Sequence, residues 1–184
     1  LSANTGQFQV RVMPQPRRVL TSSSVVASYS DRQLQVTQQI DYQVSYARVG
    51  SVKLMVPRPL QHERVRFRLQ ADSNSEPIPL GARPGVEVGT QRQAEIQLDE
   101  DRLGTFRILI DFNLPVPEVL AITSVPVQVP LVQSTDTEFS STRFELVKSG
   151  GIQAVLPEGQ WKSELDIENR PVWRATGSKS QIDL

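Results

Sequence analysis

The 184-residue chain carries equal numbers of basic and acidic residues, 20 of each, together with one histidine and no cysteine. A net charge of zero supplies no overall field to attract nucleic acid or an anionic membrane, so nucleic-acid binding is disfavoured. The lack of cysteine excludes disulfides, thiolate catalysis and Cys-ligated zinc, and a single histidine excludes a histidine-cluster metal site. A domain of this length buries roughly 70% of its unfolded surface, which is enough for a real core.

The chain is predicted to contain almost no helix. Its 13 prolines and 10 glycines are scattered, and no proline-free window shows the i, i+3, i+4, i+7 apolar spacing of an amphipathic helix. Residues 114–132 carry a single charge, but their four prolines argue against a membrane-spanning helix. No signal-peptide pattern is present, so we expect any targeting segment to lie outside these residues.

In chain order, a short first strand is predicted at Phe8 to Val12, and a weaker strand signal covers residues 17–29. Residues 33–46 follow, and they alternate more regularly than any other stretch. Their apolar side chains fall on even positions, so a strand places them on one face, and Ile40 and Tyr42 are predicted core residues. Gln38 interrupts this face, and we expect a bulge or bend there because the run is long for one strand.

Two hairpins are predicted next. Residues 47–50 are interpreted as a turn between the strand 33–46 and the alternating run 52–56. Residues 94–98 and 106–114 alternate on either side of the acidic turn at 99–101, which indicates a second hairpin. Between these hairpins, the proline- and glycine-rich residues 71–90 are predicted to be mainly loop.

The last third is predicted to hold short strands. Pro126 and Pro130 share one parity of the run 125–131, so both missing N–H donors lie along one margin and indicate an edge strand. The polar residues 133–142 are the predicted linker, and further short strands follow. Together the pattern predicts an antiparallel β-sandwich, Ig-like or jelly-roll-like, as one domain over 1–184. The alternative is a sandwich over 1–118 followed by a small β module over 119–184.

A cationic strip is the first candidate binding surface. If Val65, Phe67 and Leu69 face the core, strand parity directs the intervening arginines outward together. We expect acidic side chains on a neighbouring strand to pair with them, and the alternative is an open strip that binds an anionic partner. The residues of this strip are Arg64, Arg66 and Arg68.

Trp161 and Trp173 form the second candidate, a sugar-stacking platform, although core packing is the favoured interpretation of both rings. His62 lacks a nucleophile elbow nearby, so no catalytic residue is predicted. Pairs among Glu158, Glu164, Asp166 and Glu168 leave an acid-pair hydrolase as a third possibility. An EF-hand-like start at Asp72 fails at Pro77 and Arg83, so no metal or cofactor is predicted, and calcium at the acidic turns stays open.

The alternating strand 33–46, the strand 52–57 and the run 125–132 resemble β-rich modules in large cell-envelope proteins of planctomycete-type bacteria. The first predicted hairpin is also similar to the N-terminal β-domain of the M1 aminopeptidases, whose catalytic zinc motif belongs to another domain and is absent here. Either resemblance implies a non-catalytic module of something larger, and we expect a structural or interaction module of a larger envelope or secreted protein. Its expected partners are other domains of that protein or a separate protein, with carbohydrate binding as the alternative function.

Overall fold

The computed structural model describes residues 11, 13, 15–61, 65–72, 74–116, 126–148, 154, 156–157 and 159–184. The predicted strand at Phe8 to Val12 therefore lies outside the described residues, apart from the isolated position 11. In the described part, regular structure consists of β-strands and one four-residue helix, α1 (Arg58–Gln61). The prediction of an all-β fold with almost no helix is confirmed. No helix in this part is long and apolar enough to cross a membrane.

The strands vary widely in length, from two residues to 25. In chain order they are β1 (Arg18–Ser30), β2 (Gln33–Pro57), β3 (Arg66–Gln70), β4 (Ile78–Leu80), β5 (Ala82–Val88), β6 (Gln91–Pro115), β7 (Gln128–Pro130), β8 (Gln133–Ser134), β9 (Glu138–Lys148), β10 (Lys162–Leu165), β11 (Pro171–Thr176) and β12 (Gln181–Asp183). The regions predicted as a loop at 71–90 and as a linker at 133–142 thus contain strands.

One ten-stranded sheet has the order β10-β11-β9-β1-β2-β6-β3-β4, with β5 added to β6 and β8 added to β2. Strands β7 and β12 form a separate two-stranded sheet. All strand pairs are antiparallel except β1 with β9, which run parallel. The sheet is therefore mixed, and the all-β arrangement is consistent with a sandwich.

The two longest strands, β2 and β6, pair from Gln33 opposite Pro115 to Pro57 opposite Gln91. Their regular register stops after Val44 opposite Gly104 and resumes at Ser51 opposite Gln97. Six residues intervene in each strand, 45–50 in β2 and 98–103 in β6. These twelve residues are called the junction below.

Both predicted hairpins are wrong, because each supposed turn is one side of the junction within a continuous strand. Turn-like composition marks an interruption of a strand but does not decide whether the chain reverses there. Here the two interruptions are equally long and lie opposite each other. The β2–β6 ribbon therefore continues past them in its original register.

The predicted bulge at Gln38 is also wrong, since this residue lies opposite Ile110 in an unbroken part of the β2–β6 register. Gln38 is buried, and its side chain is fully engaged. Its amide nitrogen donates to Ser23 Oγ at 3.1 Å and to the Val132 carbonyl at 2.7 Å, and its Oε1 accepts from the Val132 N–H at 2.9 Å. A buried amide with three partners removes the need for the backbone to turn it away from the core.

The core is lined by the even positions of β2 and β6, as strand parity predicted. Ile40 and Tyr42 are both essentially inaccessible, and the Tyr42 ring stacks on Phe106 with centroids 4.8 Å apart. Burial raises the pKa of the Tyr42 hydroxyl, which bonds to Ser134 Oγ at 3.0 Å. Buried residues from both halves of the ribbon, from β7 and from β12 belong to one hydrophobic cluster.

The predicted proline-protected edge is confirmed in β7. Val127 and Leu131 donate to the carbonyls of Leu184 and Ser180, so odd positions direct their backbone groups toward β12. Pro126 and Pro130 consequently have their ring nitrogens on the opposite margin, where the described residues show no further strand pairing.

Candidate interaction surfaces

Strand β3 shows the predicted parity of the cationic strip. Phe67 and Leu69 are buried in the core, whereas Arg66 is exposed and Arg68 is half-buried on the opposite face. Arg64 and His62 lie outside the described residues. The structure thus places two of the three predicted arginines on the outer face of the sheet.

Arg68 is paired within the chain. Its Nε and Nη2 atoms donate to Asp111 Oδ2 at 3.0 and 2.7 Å, and the other oxygen of Asp111 accepts from Thr37 Oγ1 at 2.9 Å. Asp111 belongs to β6, the neighbouring strand, and it lies opposite Arg66 in the register. Of the two described arginines of the strip, Arg66 makes no ion pair with the described residues and is exposed to solvent.

Both tryptophans are half-buried and pack against the core. Trp173 lies on β11 opposite Phe144 of β9, and the two rings are 5.6 Å apart with a tilt of 31°. Trp161 directly precedes β10. Part of each ring surface is therefore used for packing, and a part stays accessible.

The carboxylates near the tryptophans are grouped around cations. Glu145 of β9 is buried and contacts Arg143 at 3.3 Å and Arg170 at 3.2 Å. Arg170 also pairs with Asp166 at 2.9 Å and with Glu168 at 3.4 Å. Glu164 lies 3.8 Å from Arg174, whereas Glu158 lies outside the described residues.

Asp166 organises the turn between β10 and β11. Its Oδ1 accepts the backbone N–H groups of Glu168 and Arg170, both at 2.8 Å, and its Oδ2 accepts from Arg170 Nε at 2.9 Å. The bond from the Arg170 backbone N–H is the main cause that holds the pKa of Asp166 below its ordinary value. This carboxylate stabilises a turn, and its oxygens are occupied by donors of the same turn.

Two acidic residues of the junction contact a cation. Arg102, whose side chain is 14% exposed, contacts Asp99 and Glu100, each at 3.2 Å. The hydrogen bond from Arg102 is the main cause that lowers the pKa of Asp99. Within the described residues there is no group of three or more side chains that could hold a metal ion.

Two clefts on the described part of the surface are considered in turn. The larger, about 550 Å³, crosses the outer face of β1, β2 and β6, and its lining includes Ser22, Gln43 and Thr105 beside the Asp41–Arg107 ion pair of 3.2 Å. The smaller, about 350 Å³, lies between the junction and residues 134–137. The larger cleft also has apolar lining residues, among them Leu20 and Phe106, whereas the lining of the smaller is mainly polar.

Exposed apolar side chains occur at strand margins and at the junction. This group was missed from the sequence, because an alternating apolar residue is ordinarily predicted to face the core. Its members are Met13 (71% exposed), Tyr46 (62%), Ile78 (53%), Val86 (69%), Val88 (56%), Leu103 (55%), Val147 (40%), Leu165 (68%) and Ile167 (105%). All seven residues of β5 are exposed, although β5 is hydrogen-bonded to β6.

Comparison with known proteins adds little. No family model and no curated protein matches the chain. Among solved structures, the chain is similar to a mutant M1 zinc metallopeptidase from Deinococcus radiodurans bound to a Tyr-Ser-Ala substrate, with 11% sequence identity and a TM-score of 0.41. The alignment covers 87% of this chain but 39% of the metallopeptidase.

Proposed function

We propose that this chain is a non-catalytic structural or interaction module of a larger envelope or secreted protein. The observation that supports this proposal is the division of the described surface. Several charged side chains of the sheet face contact oppositely charged neighbours, as in the Arg68–Asp111 and Asp41–Arg107 pairs, whereas Arg66 makes no ion pair among the described residues. Accessible apolar side chains instead lie at strand margins and the junction, where another protein surface could bury them.

The envelope or secreted setting is supported by the resemblance to planctomycete-type envelope modules, whereas the absence of cysteine fits a reducing compartment as well. A core that spans residues from β1 to β12 is built without a cysteine, so it does not depend on disulfides in any redox environment. The expected partners are neighbouring domains or a separate protein. Contacts at strand margins suit either, because exposed backbone groups there can extend the sheet.

Site-specific photo-crosslinking in the full-length protein, in its native host, tests this proposal. A photoreactive residue at Val88 or Leu165 should crosslink to protein, whereas one at Gln35 or Asn113 on the polar sheet face should not. Gln35 and Asn113 are matched controls because they lie opposite each other on exposed positions of β2 and β6. Crosslinks from the sheet face alone would overturn the proposal.

Carbohydrate binding is the second candidate, and the partial exposure of Trp161 and Trp173 favours it. In this candidate function, a sugar stacks on the accessible surfaces of both indole rings. Affinity electrophoresis in polysaccharide gels tests this: Trp161→Ala or Trp173→Ala should abolish retardation, while Tyr29→Ala, a half-buried aromatic on β1, should not. Equal mobility of wild type with and without polysaccharide would reject the candidate.

A further inference from the structure

The floor of the larger cleft consists of two neighbouring rows of side chains that run across β1, β2 and β6. The strand register places Ser22, Asp41 and Arg107 side by side in one row. The other row, two residues away along each strand, consists of Leu20, Gln43 and Thr105. Neighbouring strands lie about 4.8 Å apart and positions two apart in a strand about 7 Å, so one small molecule can contact both rows.

Segments on either side of these three strands form the walls of the cleft. Ala71 and Asp72, which follow β3, line the side next to β6, and Ser140 of β9 lines the side next to β1. The cleft has a volume of about 550 Å³. Small-molecule sites usually have volumes of roughly 300–1,000 Å³, so a ligand of one or two sugar rings suits its size.

Several polar groups of the floor have no partner within the described part of the chain. Ser22, Gln43 and Thr105 make no side-chain hydrogen bond there. Arg107 contacts Asp41 through Nε at 3.2 Å, and its Nη1 and Nη2 atoms have no acceptor among the same residues. Because hydroxyl and amide groups both donate and accept, the floor offers a mixed set of unused donors and acceptors.

The charges of the cleft cancel or are already engaged. Asp41 contacts Arg107 and also accepts from Gln39 Nε2, which lies 3.0 Å from each carboxylate oxygen. Asp72 Oδ1 accepts two backbone N–H groups of its own turn, at 2.9 and 2.8 Å. The lining therefore has no excess of cations for an anion, and the described residues contain no group of three or more metal-binding side chains. A neutral, hydrogen-bonding ligand is the class that fits.

We propose that the larger cleft binds a neutral saccharide through the hydroxyl groups of the sugar. Sugar hydroxyls donate to Asp41, accept from the free nitrogens of Arg107, and do both with Gln43 and Thr105. The half-buried Leu20 offers an apolar contact to the C–H groups of the ring. This inference rests on the carbohydrate-binding candidate of the proposed function and gives it a site on the sheet face, apart from the tryptophans.

Binding in this cleft is expected to be weak. The aromatic residues of the lining, Tyr42 and Phe106, have buried rings, so no aromatic face of the lining is accessible for stacking. Hydrogen bonds to an exposed cleft replace bonds to water and each contributes modestly. A dissociation constant in the millimolar range is therefore expected.

Nuclear magnetic resonance of the isotope-labelled chain tests the proposal. Backbone amide signals are followed during titration with four neutral disaccharides, cellobiose, maltose, lactose and N,N′-diacetylchitobiose. At least one disaccharide should shift the amide signals of Ser22, Gln43 and Thr105 in a saturable way. The indole N–H signals of Trp161 and Trp173 should stay unchanged in the same titration.

Matched variants identify the groups that bind. Arg107→Leu should raise the dissociation constant about tenfold, because hydrogen bonds from a charged donor are lost. Arg68→Leu is its control, since it also removes an arginine of an ion pair but lies outside the lining. Gln43→Ala should raise the constant about fivefold, whereas Gln35→Ala, an exposed glutamine of the same strand outside the lining, should not change it. An unfolding curve for each variant shows that the fold is retained.

Cleft signals that none of the four disaccharides shifts would overturn the proposal, and so would a Gln43→Ala variant that binds as tightly as the wild type. Shifts confined to the tryptophan signals would reject the cleft but leave carbohydrate binding in place. Sodium sulfate is the anionic probe, and cleft signals that respond to it but to no disaccharide would show that the neutral class is wrong. Photo-crosslinking at the strand margins measures protein binding separately, so its failure would not affect the cleft.

Discussion

At the residue scale, the buried Gln38 shows how one polar side chain fixes the packing of a distant segment. Its amide makes two hydrogen bonds with the backbone of Val132, 94 residues later in the chain, and a third with Ser23. Each atom of the amide that faces the core has a partner. Gln38 therefore ties the segment that follows β7 to the centre of the large sheet.

Gln38→Ala should lower the free energy of unfolding by at least about 1–3 kcal/mol, because the N–H and C=O of Val132 lose their buried partner. Gln38→Leu should also destabilise the chain, since an apolar side chain fills the space but leaves both groups unsatisfied. Chemical denaturation measures both variants. Gln35→Ala, on the exposed face of the same strand, is the control and should change the free energy by less than about 0.5 kcal/mol. A Gln38→Leu variant as stable as wild type would refute this role.

Asp166 gives a prediction on pH. Its pKa in the folded chain lies below the ordinary value, chiefly because the Arg170 backbone N–H donates to it. Its contribution to stability is therefore complete above the pKa of the unfolded carboxyl, about 3.9, and is lost as the pH falls through the folded pKa. The stability difference between wild type and Asp166→Asn should be largest above about pH 5 and should shrink on acidification.

Denaturant unfolding at a series of pH values measures this difference. Glu168→Gln is the control, because Glu168 also contacts Arg170 but its side chain is 71% exposed, and a surface ion pair contributes little. A difference between wild type and Asp166→Asn that does not change with pH would contradict the assigned role of the turn carboxylate.

At the scale of elements, the junction is the feature that the sequence concealed. A turn and an interruption within a long strand can have the same composition, so Gly50 and the acidic residues 99–101 were compatible with both. A turn and an interruption differ in which segment the two flanking halves of the strand pair with. Here each half of β2 pairs with a half of β6 that lies more than 30 residues away in the chain. The alternating faces, the core positions of β2 and β6 and the margin of β7 depend on local parity, and these were predictable.

For the candidate surfaces too, strand parity could be predicted from the sequence, whereas the pairing of distant strands could not. Parity alone indicated that Arg66 and Arg68 face outward, and this was correct. The partner of Arg68 was expected on a neighbouring strand, but its identity as Asp111 depends on β3 lying beside β6. The exposed apolar margin of β5 could not be predicted, since no local signal shows that this strand covers no core.

A pair of cysteines distinguishes the continuous ribbon from the predicted first hairpin. Gln43 lies opposite Thr105 on exposed positions of β2 and β6, so Gln43→Cys with Thr105→Cys should form an intramolecular disulfide. Gln43→Cys with Leu54→Cys, which a hairpin with its turn at 47–50 would place opposite each other, should stay reduced under the same oxidation. Mass spectrometry after thiol alkylation reads both variants, and the opposite result would restore the hairpin.

At the scale of the whole molecule, the described surface separates into two kinds. Outside the larger cleft, the broad sheet face is covered by ion pairs and polar side chains that neighbouring strands already satisfy, such as Arg68 with Asp111. The margins hold exposed apolar side chains, as at Val88 and Leu165. An interaction module that binds through its margins can extend its sheet while its central strands stay fixed.

Hydrogen exchange tests this division most directly. The amide exchange of each strand is measured in the isolated chain and in the full-length protein under identical conditions. The margin strands, β5 above all, should gain protection in the full-length protein, because partner contacts cover their exposed residues there. The central strands β2 and β6 should exchange equally slowly in both. Unchanged exchange in every margin strand would contradict the claim that these margins are where the module makes its contacts.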